Sequence, residues 1–166
     1  MSLDVSLISE NPVKKSGTGV FIRENGANIE LTIEQVKEKW PDAVVEENEY
    51  ETEEVFSANI THNLGKMAEN AGIYEACWRP YMLHKDFKPE QEYDKEMEFE
   101  DSVTMYAKDI VPFLEKGYED LVARPKYFEQ FNASNGWGLY ENFLPWVKRY
   151  LDACKENPDA KIKVDR

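Results

Sequence analysis

The stretch LYENFLPWVKRYLDAC, residues 139–154, is the clearest helical pattern in the chain. On a helical wheel its apolar side chains fill one broad arc, and its charged side chains lie opposite. Pro145 predicts a kink, because a proline frees a carbonyl of the preceding turn. Such a helix needs a core to pack against. The predicted buried arc comprises Leu139, Phe143, Trp146, Val147, Tyr150 and Cys154.

Further helical patterns precede it. From Ile60 to Ala71 the apolar residues are three and four positions apart, which predicts a helix. Gly72 is expected to end this helix in a left-handed backbone conformation. A longer pattern runs from Val103 to Val122 and is interrupted at Pro112 and Gly117. Between them, residues 84–101 are acidic and polar, which predicts a long loop or insertion.

The first part of the chain is typical of strands. Residues 19–23 and 28–31 flank Asn25-Gly26, which predicts a β-hairpin. Thr32 is expected to cap a short helix that ends before Pro41. Near the other end, KIKV (161–164) predicts a closing strand, whose lysines would face the acidic strand. We therefore expect one α+β domain over residues 1–166, with an N-terminal β-hairpin and strands followed by a mainly helical C-terminal part.

The chain is acidic. Its 166 residues carry a formal net charge of −13, and 42% of them are hydrophobic, which is enough for a core. This charge argues against direct nucleic-acid binding and against anionic membranes. Acidic runs over residues 46–54 and 86–101 are typical of a solvated surface. They also leave open an acidic mimic of DNA that inhibits a nucleic-acid-handling protein.

The cysteine, histidine and glycine patterns exclude several chemistries. Cys77 and Cys154 lie among apolar neighbours and are expected to be core thiols. No zinc motif, phosphate-binding loop or nucleophile elbow is present, so neither a metal nor a cofactor is expected. No apolar signal segment or membrane span is found, which predicts a cytoplasmic protein.

Two polar segments are the candidate sites. If the segment NITHNLGKM (59–67) begins a helix, its amides line one flank beside the apolar stripe. That flank suits a partner's backbone or a polar ligand, or else ties the helix to a neighbouring loop. The predicted flank residues are Asn59, Asn63, Lys66 and Asn70.

The segment NGWGLYE (135–141) is the second candidate. It predicts a flexible turn at which Asn135 or Gly138 caps the last helix, with Glu141 in the first turn. Trp137 lies between two glycines and is either a core side chain or an exposed binding residue. His62 is either a surface or capping residue, or an acid–base residue.

These two segments, together with Ala71–Tyr74 and Asn157–Ala160, resemble a set of small uncharacterised bacterial and phage-associated proteins. The similarity runs from about Asn59 onward, and residues 84–101 are its least typical part. It implies an accessory protein of a mobile element that acts inside a bacterial cell. It transfers no catalytic residue.

Two functional hypotheses follow beside the DNA mimic. The first is a non-enzymatic interaction protein of unknown oligomeric state, which binds a protein partner or polar small molecule through the predicted flank residues with Asn135 and Trp137. The second is a small enzyme that uses His62 as acid or base with a carboxylate, either Glu141 or Glu69.

Overall fold

The computed structural model describes residues 2–14, 17–44 and 48–166. Two compact units make up the chain, Glu10–Thr52 and Met1–Ser9 with Glu53–Arg166. The α+β class is confirmed, with a hairpin and strands followed by a mainly helical part; a single domain over residues 1–166 stays a prediction. The strands are β1 (Ser2–Lys14), β2 (Phe21–Glu24), β3 (Ala27–Glu30), β4 (Asn48–Thr61) and β5 (Lys161–Asp165). The helices are α1 (Ile33–Lys39), α2 (Gly65–Asn70), α3 (Tyr74–Trp78), α4 (Tyr93–Ser102), α5 (Ala107–Ala123), α6 (Pro125–Glu129) and α7 (Tyr140–Glu156).

The smaller unit contains the predicted hairpin. Strands β2 and β3 pair antiparallel, and Asn25 and Gly26 turn with φ of 51° and 82°. Both angles are left-handed, as this tight turn requires. Thr32 then caps α1 through a capping box with Gln35, so the hairpin and the helix start are confirmed.

Strands β4, β1 and β5 form a three-stranded sheet in that order. Strand β5 runs antiparallel to β1, with Val164 opposite Val5. The closing strand is confirmed, but its expected position is wrong because β1 lies between β5 and the acidic strand β4. Leu3, Val5 and Leu7 are fully buried and turn one face of β1 to the core.

Helices α2, α3, α5, α6 and α7 contribute buried residues to that core. The arc predicted for α7 is confirmed for Phe143, Trp146, Val147, Tyr150 and Cys154, which are all buried. Its sixth predicted member, Leu139, is the half-buried N-cap. Helix α5 is continuous through Pro112 and Gly117, so the predicted interruption is wrong. Its buried residues are three and four positions apart, so they form one face that packs into the core. This packing stabilises the helix at Pro112, where the proline removes one backbone hydrogen bond. The buried residues of α5 are Ala107, Ile110, Leu114, Gly117 and Leu121.

The predicted loop over residues 84–101 is wrong in its second half, where α4 forms. Strong helix formers such as glutamate, lysine and methionine fill this stretch. Tertiary pairs fix it, because Glu96 accepts hydrogen bonds from Arg79 and Tyr81, at 3.0 and 2.5 Å. Glu100 also accepts two from Arg166. Within residues 2–14, 17–44 and 48–166, no helix has both the length and the apolar character that a membrane span requires.

Candidate functional site

The first candidate segment is not one helix. Asn59 lies in β4, which continues to Thr61, and the Thr61 hydroxyl accepts from the backbone of Asn63 at the start of a short 3₁₀ turn. Helix α2 begins only at Gly65. The alternating exposure of the strand continues into this segment, with Asn59 exposed and Ile60 buried. The shared helix flank predicted for Asn59, Asn63, Lys66 and Asn70 is therefore wrong.

Several of the predicted residues nevertheless meet at one open cavity of about 550 Å³ in the larger unit. We call it the Trp137 groove. It gathers the end of β4, the following 3₁₀ turn, the start of β1 and the loop before α7. The groove is lined by Ser2, Asn59, Thr61, His62, Asn63, Asn135 and Trp137.

The other predicted site residues do not line this groove. Asn70 is tied structurally, because its amide donates to the Lys66 carbonyl oxygen at 2.8 Å and its Oδ1 accepts from Tyr127. The Lys66 ammonium lies over the ring of Phe131, 5.9 Å from its centre. Glu69 and Glu141 are exposed elsewhere on α2 and α7. The structural alternative for these amides applies to Asn70 and also to Asn63, which donates to the carbonyl oxygen of Trp137 in a neighbouring loop.

Trp137 is presented by a tight loop. Asn135 Oδ1 accepts from the backbone N–H of Trp137 at 3.0 Å, and Gly136 and Gly138 on either side have φ of 76° and 122°. The indole is 72% exposed, so the core alternative is wrong. An exposed tryptophan beside polar groups is typical of binding surfaces.

The loop is fastened to the 3₁₀ turn. Asn63 donates from Nδ2 to the Trp137 carbonyl oxygen at 2.7 Å. Gly138 packs directly on Asn63, where an added Cβ would lie 2.9 Å from the Asn63 Cβ. The backbone of Trp137 is thus held on both sides while its ring remains exposed. The loop therefore holds the exposed ring in a defined position.

We expect Gly138→Ala to lower the free energy of unfolding by about 2 kcal/mol, because alanine is strained at this φ and its Cβ would collide with Asn63. Gly136→Ala is the matched control. Its φ is also positive, but the space around it is open, so about 1 kcal/mol of backbone strain is expected. Urea unfolding of both variants measures the difference. Equal losses would contradict the close approach to Asn63.

His62 is held by the core beneath the groove. The buried indole of Trp78 donates from Nε1 to His62 Nδ1 at 3.0 Å, and Tyr74 stacks on Trp78 at 5.2 Å. An imidazole that accepts at Nδ1 is neutral and carries its proton on Nε2. In the part of the chain that the structure describes, no carboxylate hydrogen-bonds to His62, and Glu69 and Glu141 are not its partners. The predicted hydrogen bond of His62 to Glu141 or Glu69 is thus not formed among the described residues, and the enzyme hypothesis stays a prediction.

Sequence reasoning missed three supporting residues. Asp4 accepts from Asn59 Nδ2 at 2.6 Å and from the Ser2 hydroxyl at 3.3 Å, which orients both on the groove wall. Asn132 Oδ1 accepts from the Tyr140 N–H at 2.7 Å at the start of α7, whose N-cap is Leu139. The capping predicted for Asn135 or Gly138 is therefore wrong. Trp78 is the third supporting residue. The sequence shows its apolar character but not the hydrogen bond that its indole donates to His62.

No lysine, arginine, aspartate or glutamate of the described ranges lines the groove. Its polar side chains are hydroxyls, amides and one imidazole. Among the described residues, no group of three or more histidine, cysteine, aspartate and glutamate side chains is placed to hold a metal ion. Residues 46 and 47 of the acidic run lie outside the described residues, and the DNA-mimic hypothesis stays a prediction.

Comparisons with protein-family models, with curated proteins and with solved structures found no match. The case for function therefore depends on the geometry of the groove.

Proposed function

We propose that this protein is a non-enzymatic binding protein whose Trp137 groove holds a neutral polar ligand or an uncharged segment of a partner. The observation that carries the proposal is the joint position of Asn59, Asn63, Asn135 and the exposed Trp137 on one open cavity. A cavity of about 550 Å³ lies within the range of small-molecule sites. The resemblance adds the proposal of a phage-associated accessory role in the bacterial cytoplasm.

The electrostatics support an uncharged ligand. Among the described residues, no lysine or arginine lines the groove to neutralise an anion, and the net charge of −13 opposes the approach of one. Asp4 is the nearby carboxylate, and its two oxygens already accept from Asn59 and Ser2. A cation would therefore compete with groups that the protein itself supplies. A ligand with neutral hydrogen-bond donors and acceptors therefore suits the groove best.

The test is an NMR screen of neutral polar fragments against the ¹⁵N-labelled protein. We expect hits to shift the Trp137 indole N–H and the Asn63 side-chain amide together. Trp137→Ala should weaken binding by about 30-fold, the usual loss for a central tryptophan of about 2 kcal/mol. Asn63→Ala should weaken binding less. The Trp137 ring remains, and the Trp137 backbone loses one hydrogen bond, the one from Asn63.

Trp40→Ala is the matched control, because Trp40 is 45% exposed in the smaller unit and does not line the groove. It should leave fragment binding unchanged. Thermal unfolding of each variant separates loss of binding from loss of folding. The proposal fails if Trp137→Ala and Asn63→Ala destabilise the protein but leave every detected ligand bound.

A further inference from the structure

Among the described residues that line the Trp137 groove, Trp137 is the one with a large apolar side chain. Each of the other six carries a hydroxyl, an amide or an imidazole. An aromatic base or a hydrocarbon side chain is better accommodated between apolar walls. A pyranose ring differs, because it has C–H groups on one face and hydroxyl groups around its edge. The C–H face stacks on an indole, and the edge needs polar partners.

The groove offers free hydrogen-bonding groups of both kinds. In the part of the chain that the structure describes, Oδ1 of Asn59 and Oδ1 of Asn63 accept no hydrogen bond from the protein. Nδ2 of Asn135 and Nε2 of His62 donate none. Two acceptors and two donors thus belong to residues that line the groove together with Trp137. A sugar hydroxyl both donates and accepts, so a ring bearing several of them can use both kinds.

The positions of these groups are set before any ligand arrives. Asp4 orients Asn59, Trp78 orients His62, and the backbone N–H of Trp137 orients Asn135. Asn63 is oriented by the Trp137 carbonyl oxygen. A flexible ligand with weak individual contacts gains most from such a surface, because fewer side chains lose freedom on binding.

From these observations, and building on the proposed binding function, we propose that the ligand of the Trp137 groove is a neutral oligosaccharide. One pyranose ring stacks on the Trp137 indole. Its hydroxyls donate to the Oδ1 atoms of Asn59 and Asn63 and accept from Asn135 and His62. Anionic sugars are disfavoured by Asp4 beside the groove, and no lysine or arginine among the described residues lines the groove to pair with them.

The experiment titrates the full chain with cellotriose, maltotriose and N,N′,N″-triacetylchitotriose, followed by NMR and calorimetry. Trigalacturonate is the anionic counterpart. We expect at least one neutral trisaccharide to bind with a Kd of about 1 mM or tighter and to shift the Trp137 indole N–H. Trp137→Ala should weaken this binding at least tenfold, Trp137→Phe should weaken it less, and Trp40→Ala should not change it. Trigalacturonate should bind more weakly than the neutral sugars.

A parallel titration with N-acetylated tripeptide amides and with nucleosides distinguishes the two proposals. If these bind at Trp137 and no neutral trisaccharide does, the saccharide inference is overturned and the binding function stands. If no compound of any class shifts the groove signals, both are overturned. Saccharide binding that persists in Trp137→Ala would also overturn the inference, because the stacking ring would then play no part.

Discussion

Raising the pH above about 9 is expected to destabilise the protein by roughly 1 kcal/mol per pH unit for each of two buried thiols. Burial raises the pKa of Cys154 from about 9 to about 12, and it raises the pKa of Cys77 further. Tyr150, buried beside them, also has its pKa raised well above the usual value near 10 by burial.

The sign follows from proton binding. Above about pH 9 the unfolded chain releases thiol protons that the folded protein keeps, so unfolding becomes easier as pH rises. The stability from Cys154 is complete below about pH 9 and is lost as the pH rises through about 12. Over two pH units, two such thiols lower the free energy of unfolding by several kcal/mol, which is a large share of the stability of a domain of this size.

Urea unfolding at a series of alkaline pH values, with a phosphine reductant present, measures this slope. Cys154→Ala removes one titrating group, so its slope should be shallower than that of the wild type by roughly 1 kcal/mol per pH unit. Cys77→Ala should do the same. Identical slopes in all three proteins would contradict the burial of ionisable thiols in the core.

Gly117→Ala is the second large effect, with an expected loss of about 3 kcal/mol. Helix α5 approaches the start of α3 at Gly117, where a Cβ would lie 2.9 Å from the Ala71 carbonyl oxygen and closer still to Cγ2 of Ile73. Ile73 is fully buried and cannot move aside into solvent. The cost of overpacking therefore exceeds the gain in stability, up to about 1 kcal/mol, that alanine brings over glycine in a helix interior.

Gly65→Ala is the matched control for this prediction. Its backbone is right-handed helical, and a Cβ would lie 3.5 Å from Tyr74, an ordinary contact. The same substitution should therefore stabilise the protein by about 0.5–1 kcal/mol. Thermal or urea unfolding of both variants measures the two shifts. Shifts of the same sign would contradict the tight contact between α5 and α3.

Local patterns in the sequence were sufficient to predict much of the fold. Asn25-Gly26 and Thr32 specify a turn and a cap through their own chemistry, and α7 shows its buried face directly. The helix over residues 93–102 was missed because it has no apolar stripe and is held by distant partners such as Arg79 and Arg166. Partners so far apart in sequence leave no periodic signal.

The candidate site was predictable only in part. The segments around Asn63 and Trp137 stood out because they gather amides, glycines and a tryptophan. They are joined by the side-chain hydrogen bond of Asn63 to Trp137 and by the close packing of Gly138, neither of which a local pattern specifies. The roles of Asp4 and Trp78 in orienting Asn59 and His62 depend equally on tertiary contacts.

The central position of β1 has a consequence for the order of folding. Val5 pairs with Val164, a residue far away along the sequence. Because closing so long a loop is slow, the pairing of β1 with β5 is expected to form late. Until β5 pairs, β1 lacks one of its two neighbouring strands, and its backbone groups on that side are unpaired. A folding intermediate without β5 therefore exposes one edge of β1.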